Sequence, residues 1–168
     1  LAQDRLGAEL EVLTLYTVEG DMADLSAFSE ASFDLIFHPC SNCFAANVLP
    51  VWREAFRVLK PGGTMLAGFC NPVRFIFDER AEDERQERVV RHEIPYSDLT
   101  SLSPAELEQV KATRPLEFGH SLEDQLGGQL QAGFMLLELF EDRFEASDLI
   151  SRYLNTFIAT RAQKPRDA

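Results

Sequence analysis

Long apolar runs are missing from this chain: no stretch approaches the ~20 consecutive apolar residues that a bilayer-crossing helix needs. Positive charge is scarce too. Lys and Arg total 16 against 28 Asp and Glu, a net charge of -12 that leaves little to neutralise phosphates. Duplex nucleic acid and anionic membranes are therefore poor partners. Cysteine is limited to three, an odd number that suits reduced thiols in a cytoplasm better than a disulfide framework. The first residues, LAQDRLGAELEV, lack both an initiator Met and the basic, apolar and small-residue succession of a signal peptide. No internal repeat is visible.

Core material, in contrast, is plentiful. At 45% hydrophobic residues with 13 Phe, 168 residues can build one domain. Short, nearly continuous apolar runs occur at 12–18, 33–37, 64–69, 134–140 and 153–160, and they read as strands of a sheet buried on both faces. Between the second and third lies the clearest helix, capped by Asn47, with Leu49, Trp52, Ala55, Phe56 and Leu59 on one stripe. Lys60, Pro61, Gly62 and Gly63 end it, Lys60 complementing the helix dipole. Ser121 with Asp124 three residues on predicts a second helix with Leu122, Leu126 and Leu130 as its apolar face, handed on by Gly133. Strand, helix, strand, then helix and two strands indicates an α/β layered fold. Residues 74–118 break that rhythm, first charge-dense and then proline-punctuated, as an inserted arm would.

One stretch invites a metal or redox reading. FHPCSNCF at 37–44 gathers His38, Cys40 and Cys43, but three soft ligands fall short of the four of a structural zinc site unless Cys70 joins them. A redox pair is weaker still, since the Cys-x-x-Cys lacks its usual setting. Neither outweighs the plain alternative, cysteines packed as small apolar residues.

Two longer stretches carry a resemblance: VEGDMADL at 18–25, and SFDLIFHPCSNCF continuing through LPVWREAFRVLKPGGTMLAGF to residue 69. Together they resemble the middle of a class I S-adenosylmethionine-dependent methyltransferase of the small-molecule group, similar to the ubiquinone and menaquinone biosynthesis enzymes. The ending, GFMLLELFEDRF and LNTFIATRAQKP, resembles the antiparallel hairpin that closes that fold. The resemblance implies a Rossmann-like sheet with helices on both faces, S-adenosylmethionine as cofactor, and a small molecule as methyl acceptor. It puts Asp21 on the adenine amine and Met22 on the adenine ring, a carboxylate being an acceptor suited to an amine. It makes 37–44 the loop at the carboxyl end of the fourth strand, where ligands bind in open α/β sheets. His38 is then a cofactor or catalytic residue, and Cys40 and Asn42 border the acceptor. Asn71, Arg74 and Tyr96 are candidate acceptor contacts, and His120 a candidate base, because an imidazole titrates near neutrality. The family's base-methylating N/D-P-P-Y/F signature is replaced by His38-Pro39-Cys40-Ser41.

A departure from the pattern matters as much. No G-x-G, the element that lets backbone approach the cofactor's methionine end, exists anywhere in the chain. By analogy the first two strands precede Leu1, so residues 1–168 read as a single truncated domain, inactive alone, with 74–118 as an arm or cap. Loss of those strands would leave a bare edge on the 33–37 strand, to be filled by a second copy in a homodimer or by the preceding strand. A non-catalytic scaffold using the acidic arm is the rival reading.

Overall fold

The computed structural model describes residues 16–145 and 148–167. Its first regular element is strand β1 (Phe33–Pro39), followed by helix α1 (Val48–Val58) and strand β2 (Leu59–Cys70). Asn47 caps α1 through its side-chain oxygen, which accepts from Leu49 N at 3.0 Å. Val48, Val51, Trp52, Ala55 and Val58 recur at helical spacing on one buried face. That face packs on Met65 and Ala67 of β2, with Met22, Ala23 and Ile36 at its margin.

The chain then leaves the sheet through the arm and returns as helix α5 (Gly128–Ala132) and strands β5 (Met135–Asp142) and β6 (Phe157–Gln163). The described sheet runs β1-β2-β6-β5, with β1 parallel to β2 and the last two strands antiparallel. An α/β sheet with a closing antiparallel pair is what the sequence predicts. The expected strand at 12–18 lies outside the described residues up to Leu15, and Tyr16 to Val18 form no strand. β1 is the edge of the described sheet, and Leu35 and Phe37, alternating with Ile36, are exposed on the face away from α1.

Four local expectations change. The KPGG segment belongs to β2: Phe33 pairs with Leu59 but Leu35 with Thr64, so it bulges out of the ladder. Gly62 takes φ +82, and a Cβ on Gly63 would stand 2.8 Å from the Lys60 carbonyl and 2.9 Å from Leu59, so the bulge requires both glycines. The cation at the end of α1 is Lys164 instead of Lys60; its buried ammonium donates to Phe56 O and Leu59 O, both at 3.0 Å. Lys60 reaches outward to Asp34 at 2.8 Å.

The second helix departs further. Ser121 and Asp124 do make the predicted cap, with Asp124 N donating to Ser121 Oγ at 3.0 Å. A π-helical segment (Glu123–Gly127) then shifts the register before α5. The buried side is therefore Gln125, Gly128 and Gln129, while Leu122 and Leu130 face solvent. Gly128 lies where a Cβ would be 2.7 Å from the Trp52 ring, which lets α5 close on α1. Strand β6 starts four residues later than the apolar run suggests, because Tyr153 N and Leu154 N turn back to Ile150 O at 2.8 and 3.2 Å.

The arm is folded. Asn71 caps a 3-10 turn (Pro72–Ile76), followed by α2 (Glu79–Arg85), β3 (Tyr96–Ser97), α3 (Asp98–Ser101), α4 (Pro104–Thr113) and β4 (Phe118–Gly119). β3 and β4 pair antiparallel. Asp98, fully buried, ties them together: it accepts from Tyr96 OH at 2.7 Å, Arg114 at 2.8 Å and Glu117 N at 2.8 Å. Much of the acidic charge is thus internally matched. Among the described residues no helix is long and apolar enough to cross a membrane.

Candidate functional site

β1 and β2 run parallel, so His38, Pro39 and Cys70 reach the same carboxyl edge of the sheet. The 37–44 loop is anchored there by Cys40 N, which donates to Gly68 O at 2.8 Å, with Cys40 itself at φ +45. A non-glycine residue in that region is strained and marks a forced turn. The chain then coils into a 3-10 turn (Asn42–Phe44) leading to the α1 cap.

His38 shares the Ile36 side of β1 and sets its ring edge against Trp52, centroids 5.6 Å apart. Burial lowers its pKa, and its Nε2 is enclosed with no hydrogen-bond partner. Asn42 is 1% exposed; its amide donates to Gln125 Oε1 at 2.8 Å while its Oδ1 stays unpartnered. His120, also buried, bonds through Nε2 to Asn42 O at 3.2 Å. The loop and the π segment are therefore joined by buried polar contacts.

The cysteines behave as thiols, all three free. Cys43 and Cys70 sit together on one cavity wall, and their interaction pushes the Cys43 thiol well above its ordinary value and draws Cys70 below it. The Cys43 S–H donates to Cys40 O at 3.4 Å. Among the described residues no three His, Cys, Asp or Glu side chains converge as metal ligands. The Cys70 recruitment that a zinc reading needs does occur, but as a thiol pair that leaves His38 on Trp52.

Between this edge and the arm lies a cavity of ≈ 580 Å³, walled by Cys43 and Cys70, by Phe144 and Phe157 beside β5 and β6, and by arm residues including Phe75 and Tyr96. Tyr96 offers its ring, stacked on Phe75 at 5.6 Å, because its hydroxyl is committed to Asp98; burial and that bond push its pKa up. Arg74 lies over the Phe144 and Phe157 rings at 4.8 and 5.6 Å, with its Nη1 enclosed and unpartnered. Glu117 completes the wall; burial raises its carboxyl pKa, and its nearest cation is Arg114 Nη1 at 3.8 Å.

Of the residues expected from sequence, Arg74 and Tyr96 meet in this cavity. Asn71 is occupied, its side chain serving Val73 N at 3.2 Å and Asn155 O at 3.1 Å. His120 lines a second cavity of ≈ 390 Å³ with Asn47 and Phe118. Asp21 is exposed, one oxygen accepting from Ala23 N at 2.8 Å, and Met22 leans on the core. Glu117, Phe144 and Phe157 were not foreseen: each reaches the cavity from more than 35 positions away from Arg74 in sequence, and no short motif links them.

The strand order and the antiparallel closing pair define a class I methyltransferase-type α/β fold. Sequence relationships agree. The Methyltransferase domain family matches residues 1–67. A Bacillus subtilis (strain 168) protein described as "uncharacterized methyltransferase YbaJ" is 46% identical over 165 residues, 98% of this chain and 64% of that protein. The chain thus spans less than two thirds of that relative. An S-adenosylmethionine-dependent methyltransferase from Mesorhizobium loti superposes with a TM-score of 0.60 at 14% identity, covering 86% of this chain and 67% of that one. A Methanosarcina mazei counterpart gives 0.54 at 15% identity, over 87% and 65% of the two chains. In fold the chain is of the class I methyltransferase type, and in sequence its residues 1–67 match the methyltransferase domain family. None of these three relatives is described with a methyl acceptor.

Proposed function

We propose that the protein transfers a methyl group from S-adenosylmethionine to a small acceptor held in the ≈ 580 Å³ cavity beneath the 74–118 arm. The observation that carries this reading is the cavity's place at the carboxyl edge of a methyltransferase-type sheet, where open α/β sheets bind ligands. The residues present suit the adenine end of the cofactor: Asp21 is an exposed carboxylate acceptor, and Met22 beside it offers an apolar surface. His38, half-buried at the end of β1 with an enclosed Nε2 that lacks a hydrogen-bond partner, is the imidazole nearest this edge for a cofactor or acceptor group.

The cofactor supplies the electrophilic methyl group. This chain's part is to place the acceptor within attacking distance and keep water out, which is where most of the rate comes from in such a transfer. A base is needed only if the nucleophile must lose a proton. Glu117 is the carboxyl in the cavity wall whose surroundings raise its basicity, and it takes that role here in preference to His120, which is bonded within the loop support.

Calorimetry tests the reading. The full-length protein is expected to bind S-adenosylmethionine at micromolar affinity, and Asp21→Ala to weaken it about tenfold, the worth of one charge-assisted hydrogen bond. Residues 1–168 alone, without any G-x-G, should bind far more weakly. No binding by the full-length protein would end the proposal.

A further inference from the structure

The arginines of the cavity wall differ in what they already hold. Arg91 pairs with Glu106 at 2.8 Å and Asp78 at 3.5 Å. Arg80 lies 3.8 Å from Glu106 and donates to Gln109 at 2.8 Å. Arg114 holds Asp98 at 2.8 Å and Glu79 at 3.3 Å. Arg74 has no carboxylate within ion-pair distance among the described residues, yet it lines the cavity with Nη1 shut off from solvent. Its guanidinium is fixed in place by the two phenyl rings beneath it and by the turn after Asn71, whose carbonyl receives Arg74 N at 3.0 Å.

A guanidinium removed from water without an acceptor is costly, so an enclosed, unpartnered N–H calls for a partner. The neighbouring acids, Asp148 and Glu117, feel the Arg74 charge but stand beyond ion-pair distance of it, and each has another partner. Asp148 accepts from Ser151 N at 2.7 Å and lies 3.9 Å from Arg88 Nη2, and Glu117 faces Arg114. Beside its mutually paired charges, the wall therefore offers a ligand one cation without a carboxylate, seated on Phe144 and Phe157, with the stacked rings of Phe75 and Tyr96 in the same cavity. A planar fork of this kind matches a carboxylate, and flat apolar walls match a flat body.

We propose that the methyl acceptor is a small, flat, anionic molecule whose carboxylate or equivalent oxyanion is held by Arg74. This rests on the acceptor-pocket reading above and adds the chemical class of the acceptor. The cofactor carries a carboxylate too, so the test must separate the two sources.

The probes are benzoate and its neutral isostere benzamide, titrated into the full-length protein, with S-adenosylhomocysteine titrated separately. Wild-type protein should prefer benzoate by about tenfold, and benzoate should shift the Arg74 Nε–H resonance. Arg74→Met should erase the preference and leave S-adenosylhomocysteine affinity unchanged, while Arg80→Met should retain the preference. Equal binding of the two probes by wild type, an unmoved Arg74 resonance, or a preference that survives Arg74→Met would each overturn the proposal. So would an Arg74→Met variant that loses S-adenosylhomocysteine instead, since the cofactor would then be the anion. The wild-type comparison stands even if the variant does not fold. Failure to bind S-adenosylhomocysteine at all would sink the methyl-transfer reading alone.

Discussion

Single carboxyls set the arm's response to pH. Glu106 accepts from Ser103 Oγ at 2.6 Å and Ser103 N at 2.9 Å and pairs with Arg91, and these partners, Ser103 foremost, hold its pKa down to about 2. A carboxyl depressed on folding stabilises the protein above its unfolded pKa of about 4.3 and loses that contribution as pH falls toward the folded value. Glu106→Ala should therefore cost about 1–3 kcal/mol at pH 7 by urea unfolding, cap and ion pair together, with the gap narrowing below about pH 4. An equal cost at pH 7 and pH 2 would contradict this account. Glu117 has the opposite sign. Burial raises its pKa, so ionising it above the usual Glu range destabilises the fold. Glu117→Gln should raise Tm at neutral pH, and the gain should vanish below about pH 4, where Glu117 is protonated both folded and unfolded. A Tm lowered by the substitution at pH 7.5 would show that the charge is compensated.

At the scale of elements, the junction from α1 to β2 is the best-determined part of the chain. Its cap and the Trp52 and Ala55 centre of its apolar face were readable, because they depend on neighbours within a few positions, whereas Val48, Val51 and Val58 share the buried face in place of Leu49 and Phe56. The partner of the helix C-terminus was not readable, since Lys164 arrives from more than 100 positions away. Lys164→Met should cost about 2–4 kcal/mol by leaving the Phe56 and Leu59 carbonyls unpaired, while Lys60→Met, removing only an exposed pair with Asp34, should stay within about 0.5 kcal/mol. Equal losses in chemical denaturation would return the capping role to Lys60. The π segment shows where periodicity misleads: reading Leu122, Leu126 and Leu130 at 3.6 residues per turn presumes an unbroken α-helix. One wider turn moved the buried side onto Gln125 and Gln129, whose side-chain oxygens accept from Asn42 and Thr160 while Gln129 Nε2 donates to Gln125 O.

For the whole molecule, local sequence determined the α/β class, the succession of strands and helix along the chain and the α1 cap, and placed 37–44 at a strand's carboxyl end. Those features follow from propensity, periodicity and backbone permissiveness, which act over a few residues. Tertiary structure alone decided that Cys43 meets Cys70, that His38 turns onto Trp52, and that Arg74, Tyr96, Glu117 and Phe157 enclose one cavity. It also decided which of the cavity-wall arginines was left without a carboxylate, because charges distant in sequence are paired by the folding of the arm over the sheet edge. Side-chain pairing at long range carries no periodic signature, and so the chemistry of the site is legible only once the chain has folded.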